Sequence, residues 1–194
     1  FFNPEKKNKK VFNTQKFIVI WAGSPKYTWQ GAKIIESVAK KMMGIDDSIL
    51  FVLTAEGNST DNIQYLGNVD YIDISKYLAS ADVGLCIYEP VTFYKEFFFS
   101  PLKLFDYMAC GLPVIGSNIG QIKYVIQENS CGLLSDNIDD IITNILYMKH
   151  HPEEIKIMGN NGRGAVLKKY NWSRVASEIE NIIKLMRGKF SNIH

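Results

Sequence analysis

Apolar and polar positions along the chain alternate between two periods. Residues 17–22, Phe-Ile-Val-Ile-Trp-Ala, form a short continuous apolar run closed by Gly23, the pattern of a strand buried on both faces. After a loop at 23–31, apolar residues recur at Ile34, Ile35, Val38, Ala39 and Met42. That is the 3.6-residue period of an amphipathic helix, here over 32–43. The same alternation predicts strands at 49–53, 63–66, 83–87, 112–115 and 132–134. Helices are expected at 74–79, 100–110, 121–127 and from 138 onward, with breaks at His151-Pro152 and near Tyr170-Asn-Trp-Ser173. Gly111 stands where the end of the 100–110 helix calls for a C-cap residue. Strands alternating with helices imply parallel pairing through right-handed crossovers. The expected fold is therefore α/β: a doubly wound, Rossmann-like parallel sheet of about six strands flanked by helices. Such a sheet binds ligands beyond the carboxyl ends of its strands, which directs attention to the loops after residues 22, 54, 66, 87 and 115.

Composition narrows the class. The chain has 194 residues, 46% hydrophobic and 22% charged, so a packed core is expected. With 22 Lys and Arg against 20 Asp and Glu the formal charge is +2, which argues against a dedicated nucleic-acid binder. Cys86, Cys110 and Cys131 are odd in number with no C-x-x-C spacing; they read as small buried hydrophobes in a reducing compartment. His150, His151 and His194 show no metal-ligand spacing, so no metal site is expected. The longest strongly apolar run is far below the roughly 20 residues that cross a bilayer, and no signal peptide is visible. Residues 1–15 are polar, with Lys6, Lys7, Lys9 and Lys10, and read as a linker or tail; the domain is expected over 16–190. Trp21, Trp29 and Trp172 read as packing residues, with Trp29 the best placed to stack on a hexose. The glycosylation-type triplets Asn58-Ser-Thr60 and Asn171-Trp-Ser173 are taken as chance matches in a cytosolic chain.

The segment richest in chemistry is Ser100-Pro-Leu-Lys-Leu-Phe-Asp-Tyr-Met-Ala-Cys-Gly-Leu-Pro-Val114. Ser100 is a good N-cap and Pro101 suits the first helical position. The free N–H groups of Leu102 and Lys103 would then point out of a helix start that carries about half a positive charge and suits a phosphate. Lys103 adds a full charge, and Asp106 lies on the same face three residues on. A carboxylate beside a phosphate is costly unless neutral donors bond to it, and a ribose diol supplies two. The pair therefore points to a nucleoside diphosphate. An exposed Lys103–Asp106 ion pair on a solvated face is the competing reading.

This run resembles the signature of the group 1, or family 4, retaining glycosyltransferases, whose GT-B fold has two facing Rossmann-like domains. In that family a Glu, seven residues and a second Glu precede a Met-Ala-x-Gly-x-Pro-Val segment, and the second acid binds the nucleotide ribose. Met108-Ala-Cys-Gly-Leu-Pro-Val114 matches the tail, and Asp106 holds the place of the second acid. Two departures stand out. Phe98 occupies the place of the first acid, with Glu96 two positions out of register. Gly23 is followed by Ser24 rather than Arg, and Gln30 rather than Lys precedes Gly31. Lys26 is the candidate for the missing charge, with an ordinary solvated lysine as the alternative. More weakly, Tyr65-Leu-Gly-Asn-Val69 and Tyr77-Leu-Ala-Ser-Ala-Asp-Val83 resemble the stretch from the family's third strand to its fourth. Gly120 to Ile126, then Asn129-Ser-Cys-Gly-Leu-Leu134, resemble the next helix and strand, and Tyr170-Asn-Trp-Ser173 opens a closing helix that in the family returns toward the other domain.

The resemblance implies a donor-binding, C-terminal half of a GT-B enzyme. It would hold a nucleoside diphosphate sugar as substrate, with no cofactor and no divalent metal, and transfer the sugar with retention to a glycan or lipid-linked acceptor. The diphosphate candidates are Gly23, Lys26, Leu102 and Lys103; Asp106 is the ribose candidate, Val69 and Tyr71 the base candidates, and Glu96 and Ser100 the donor-sugar candidates. The implied partners are the donor, the acceptor and an N-terminal acceptor domain that carries the catalytic side chain and lies outside this chain; residues 1–15 would be a linker remnant. The isolated chain is then expected to bind nucleotide weakly without turnover, in the cytoplasm or at the inner face of a membrane, with a role in polysaccharide biosynthesis. A sugar-nucleotide 2-epimerase of similar architecture and a non-catalytic Rossmann-like interaction module are the alternatives. A dinucleotide-dependent dehydrogenase is disfavoured because the loop after the first strand lacks G-x-G-x-x-G.

Overall fold

The computed structural model of the chain describes residues 1–89 and 100–190, the side chains of the last three excepted. Six strands form one parallel sheet: β1 (Phe17–Trp21), β2 (Ile49–Leu53), β3 (Ile63–Tyr65), β4 (Val83–Cys86), β5 (Val114–Ser117) and β6 (Gly132–Ser135). Their order is β3-β2-β1-β4-β5-β6, the doubly wound arrangement that the alternation predicted. β1 aligns Val19 with Val83 of β4 on one side and with Phe51 of β2 on the other. The chain therefore grows outward from β1 in both directions, and the switch point lies between β1 and β4.

The continuous apolar runs are explained by helices on both faces. Ile18 and Ile20 face one core with Leu104 and Met108 of α3 (Leu102–Ala109) and Ile122, Val125 and Ile126 of α4 (Gly120–Asn129). Val19 and Trp21 face the other, with Ile35 and Val38 of α1 (Ala32–Met42) and Ile141 and Ile145 of α5 (Ile138–His150). Truncating any of these buried side chains to alanine costs about 2–5 kcal/mol. α2 (Tyr71–Ser80) starts earlier than the apolar period indicated, because Asp70 takes an extended backbone and Tyr71 to Asp73 form an exposed first turn that the core does not pattern. α6 (Pro152–Lys168) and α7 (Trp172–Phe190) follow the two expected breaks. Gly111 adopts φ +69° just past α3, as its position required. All three cysteines are free and buried.

Three expectations need correction. Residues 1–15 do not form a free tail: Val11 and Phe12 anchor the segment, Phe12 with only 4% exposure, and two short 3-10 turns lay it across α2. Lys6 Nζ donates to Ser75 Oγ at 2.8 Å, the Asn8 amide to Ser80 Oγ at 2.8 Å, and Lys9 pairs with Asp82 at 2.7 Å. Ser100 is not the N-cap of α3. Pro101 occupies that position with a non-helical ψ of 88°, so Leu102 is the first helical residue and no side chain caps the end. Trp172 is 85% exposed and packs little within this chain. It opens α7, whose Val175, Ile179, Ile182, Ile183 and Met186 repeat at helical spacing and are all exposed. Among the described residues no helix is long and apolar enough to cross a membrane.

Candidate functional site

The carboxyl ends of β1 and β4 are tied together by one side chain from α3. The amide of Ala22 donates to the Tyr107 hydroxyl at 2.8 Å, and that hydroxyl donates to the carbonyl of Leu85 at 3.3 Å. Tyr107 is fully buried, so both bonds are made away from water. This strap seats α3 directly behind the switch point. From there Lys103 reaches over the end of the sheet.

The Lys103 ammonium enters a box of aromatic and amide groups. It lies 4.6 Å from the centre of the Trp21 ring and 5.2 Å from that of Tyr88, and it donates to Gln30 Oε1 at 3.4 Å. The same Gln30 oxygen accepts the Ser24 amide at 3.1 Å, and the Trp21 indole donates to the Gln30 carbonyl at 3.1 Å. The Trp29 ring stacks on Tyr88 with centres 5.7 Å apart, and Ser117 holds the Tyr88 backbone. Gly23 passes so close to this box that a Cβ there would lie 2.8 Å from Lys103 Nζ and 2.6 Å from Gln30 Oε1. Only glycine leaves that backbone bare beside the ammonium. A cation over aromatic faces gains about 2 kcal/mol when desolvated, yet it keeps its unsatisfied N–H bonds for an anion.

Asp106, one turn further along α3, has a different setting. Among the described residues its carboxylate has no hydrogen-bond partner and forms no ion pair with Lys103, so the solvated-pair reading is overturned. It borders a cavity of about 470 Å³ that Ser100, Leu102, Phe105 and Phe2 also line. Burial pushes its carboxyl up to about 6. Burial pulls the Lys103 ammonium down to about 8. Both groups thus carry charge that the fold alone compensates poorly, the arrangement expected where a ligand supplies the missing partners.

The structure brings most of the predicted residues into one region. Gly23 and Lys103 are in direct proximity. Lys26 is exposed on the other side of Gly23, beside a cavity of about 260 Å³ shared with Glu56 and Asn68. The amides of Leu102 and Lys103 belong to the first turn of α3, where the helix itself supplies no acceptor. Val69 lies in the turn that leads to Asp70, the N-cap of α2. Tyr71 is 68% exposed, and one face of its ring is covered by Phe1 at 4.9 Å; Phe2 meets its edge and also lines the Asp106 cavity. Glu96 and Phe98 lie outside the described residues. Tyr107 and Tyr88 went unread in the sequence as parts of the site, Gln30 was read only as a departure from the family's Lys before Gly31, and Trp21 was read only as packing. Their partners are distant along the chain, and the one local cue was the place of Tyr107 next to Asp106.

A six-stranded parallel sheet with this order, and a bare glycine backbone, a caged ammonium and a helix start at its switch point, define the class of doubly wound, Rossmann-like α/β domains. A family model described as glycosyl transferase-like matches residues 30–181, and the chain belongs to that family. It is 29% identical over 157 residues to N-acetyl-alpha-D-glucosaminyl L-malate synthase of Bacillus anthracis, across 78% of this chain and 39% of that protein. It is 28% identical to O-antigen chain mannosyltransferase B of Escherichia coli, across 74% and 35%. The chain thus spans 35–39% of the length of these curated relatives. Its fold matches Anabaena HepE, solved in complex with UDP, with a TM-score of 0.75 at 13% identity, over 94% of this chain and 55% of that one. These matches agree with the C-terminal half of a group 1, GT-B glycosyltransferase in fold and family.

Proposed function

We propose that the chain is the donor-binding half of a retaining, metal-independent glycosyltransferase and that the switch-point cleft holds a nucleoside diphosphate sugar. The carrying observation is the Lys103 ammonium held beside the bare Gly23 backbone, one helical turn from a carboxylate without a partner among the described residues. Gly23, the α3 amides and Lys103 take the diphosphate, with Lys26 closing from outside. Asp106 accepts hydrogen bonds from the ribose hydroxyls and moves no proton. Val69 and Tyr71 border the base, and Ser100, which lines the cavity beside Asp106, faces the donor sugar. As the glycosidic bond breaks, negative charge gathers on the leaving diphosphate, and the fixed ammonium and N–H groups stabilise it without reorganising. UDP in the neighbouring fold of HepE supports this class of ligand.

The acceptor, a glycan or lipid-linked sugar, and the catalytic side chain belong on an N-terminal domain. The exposed apolar face of α7 suits contact with that domain. The assembled enzyme would serve polysaccharide synthesis in the cytoplasm or at the inner membrane face, and this chain alone would bind the donor without turnover. The epimerase alternative loses ground because His150 and His151 close α5 beside Lys149 and Pro152, which line a cavity at the start of β1, the end of the sheet away from the cleft.

A thermal-shift screen with UDP, GDP, ADP and dTDP tests the reading. A nucleotide at 100 times its Kd stabilises by about 2.7 kcal/mol, which is about 5–10 °C for a domain of this size. No shift with any of the four would overturn it.

A further inference from the structure

A second cavity, about 480 Å³, lies at the opposite end of the sheet. Phe17 and Pro113, at the starts of β1 and β5, stand on its wall, whereas Gly23 and Tyr88 follow the ends of β1 and β4. At about 3.3 Å per strand residue the two sites are separated by roughly 17 Å. The floor is apolar, built from Ala79, Ala81, Leu112 and Pro113.

The rim is cationic. Lys7 comes from the docked N-terminal segment, Lys149 from the end of α5 and Lys156 from the start of α6. Asp82 is the single acid lining the cavity, and it is already engaged: it pairs with Lys9 and accepts the Ile18 amide at 2.9 Å. Lys149 is bonded to Asp46 and Ser48. Among the described residues Lys7 and Lys156 have no such partner. Lys7 and Lys156, both exposed and 149 positions apart in sequence, thus bring two positive charges to the rim of one concavity, which attracts an anion that enters it. The volume is that of a small-ligand site.

We propose that this cavity is a second ligand site, separate from the donor cleft, for a small phosphate monoester with an apolar body: the phosphate between Lys7 and Lys156, the body on the floor. The site stands on its own geometry and does not depend on the donor reading.

Phenyl phosphate is a suitable probe. Titrated into the 15N-labelled chain, it is expected to give saturable amide shifts at Ala81, Asp82, Leu112 and Lys156. The Lys7→Gln/Lys156→Gln double variant is expected to bind it about tenfold more weakly, as the loss of two solvent-exposed ion pairs implies. The remaining spectrum reports that the variant is folded, and the nucleotide shifts at Gly23 and Lys103 should be unchanged in it. The proposal is overturned if phenyl phosphate produces no saturable shifts at those four amides, if its shifts are confined to Gly23 and Lys103, or if the double variant binds as tightly as the parent.

Discussion

Lys103 and Asp106 are neighbours on one face of α3, yet the molecule treats them oppositely. Lys103 arrives at a place that is already built: two rings, an amide oxygen and a glycine backbone fix its ammonium before any ligand is present. Asp106 stands half-buried at the border of a cavity, with its hydrogen-bonding capacity unspent among the described residues. On the proposed function, the difference separates two tasks. Stabilising a diphosphate gains most from charge fixed in advance, whereas recognising a ribose needs acceptors left free for it.

The largest expected effect breaks the prebuilt side. Lys103→Ala should weaken nucleoside diphosphate binding about a hundredfold, the scale of losing a charge-assisted bond to phosphate in a poorly hydrated site. Calorimetric titration checks it; a loss below about threefold would mean that the cage serves packing alone.

The two titrations sharpen the contrast. Binding needs Asp106 ionised and Lys103 protonated, so affinity for a nucleoside diphosphate sugar should peak between about pH 6 and pH 8 and fall on both sides. Such a donor has no phosphate that titrates in that window, which leaves the two side chains as the source. Stability of the free chain follows the opposite signs. The raised carboxyl of Asp106 contributes stability that is present below its ordinary value of 3.8 and is lost as pH rises through about 6. The lowered ammonium of Lys103 contributes stability that is present above 10.5 and is lost as pH falls through about 8. Melting temperatures of the parent and of Asp106→Asn across pH 4–8 should therefore diverge as pH rises, with the variant the more stable. A constant difference would contradict this.

A smaller effect is expected where the two subsites share their support. Tyr107→Phe keeps the ring but leaves the Ala22 amide and Leu85 carbonyl without their bonds, a cost of about 1–3 kcal/mol. Thermal unfolding reads it as a drop of several degrees, with a weaker nucleotide response as α3 loosens.

Much of the scaffold was legible because its signals are local. Ile34, Ile35, Val38 and Met42 announce α1, the run from Phe17 marks β1, and Gly111 marks the end of α3. The phosphate-facing candidates could be read from a helix start with a lysine in its first turn. What escaped was long-range. Gln30 meets Lys103 across 73 residues and Tyr107 meets Ala22 across 85, and no periodicity connects such positions. The N-terminal segment looked like a tail because its charges outnumber its apolar anchors, although Val11 and Phe12 and the bonds to Ser75, Ser80 and Asp82 dock it. The start of α3 shifted by one residue because Pro101 adopts a non-helical ψ of 88° rather than the helical one its ring also permits.

Asp106 is the proposed ribose acceptor, beside a phosphate held by Lys103. The direct test is a cycle: titrate the best-binding nucleoside diphosphate and its 2′,3′-dideoxy counterpart into the parent and into Asp106→Asn. The parent should prefer the ribonucleotide about tenfold, and the variant should lose most of that preference while still binding the diphosphate. Equal binding of both ligands by the parent, or an undiminished preference in the variant, would contradict the claim.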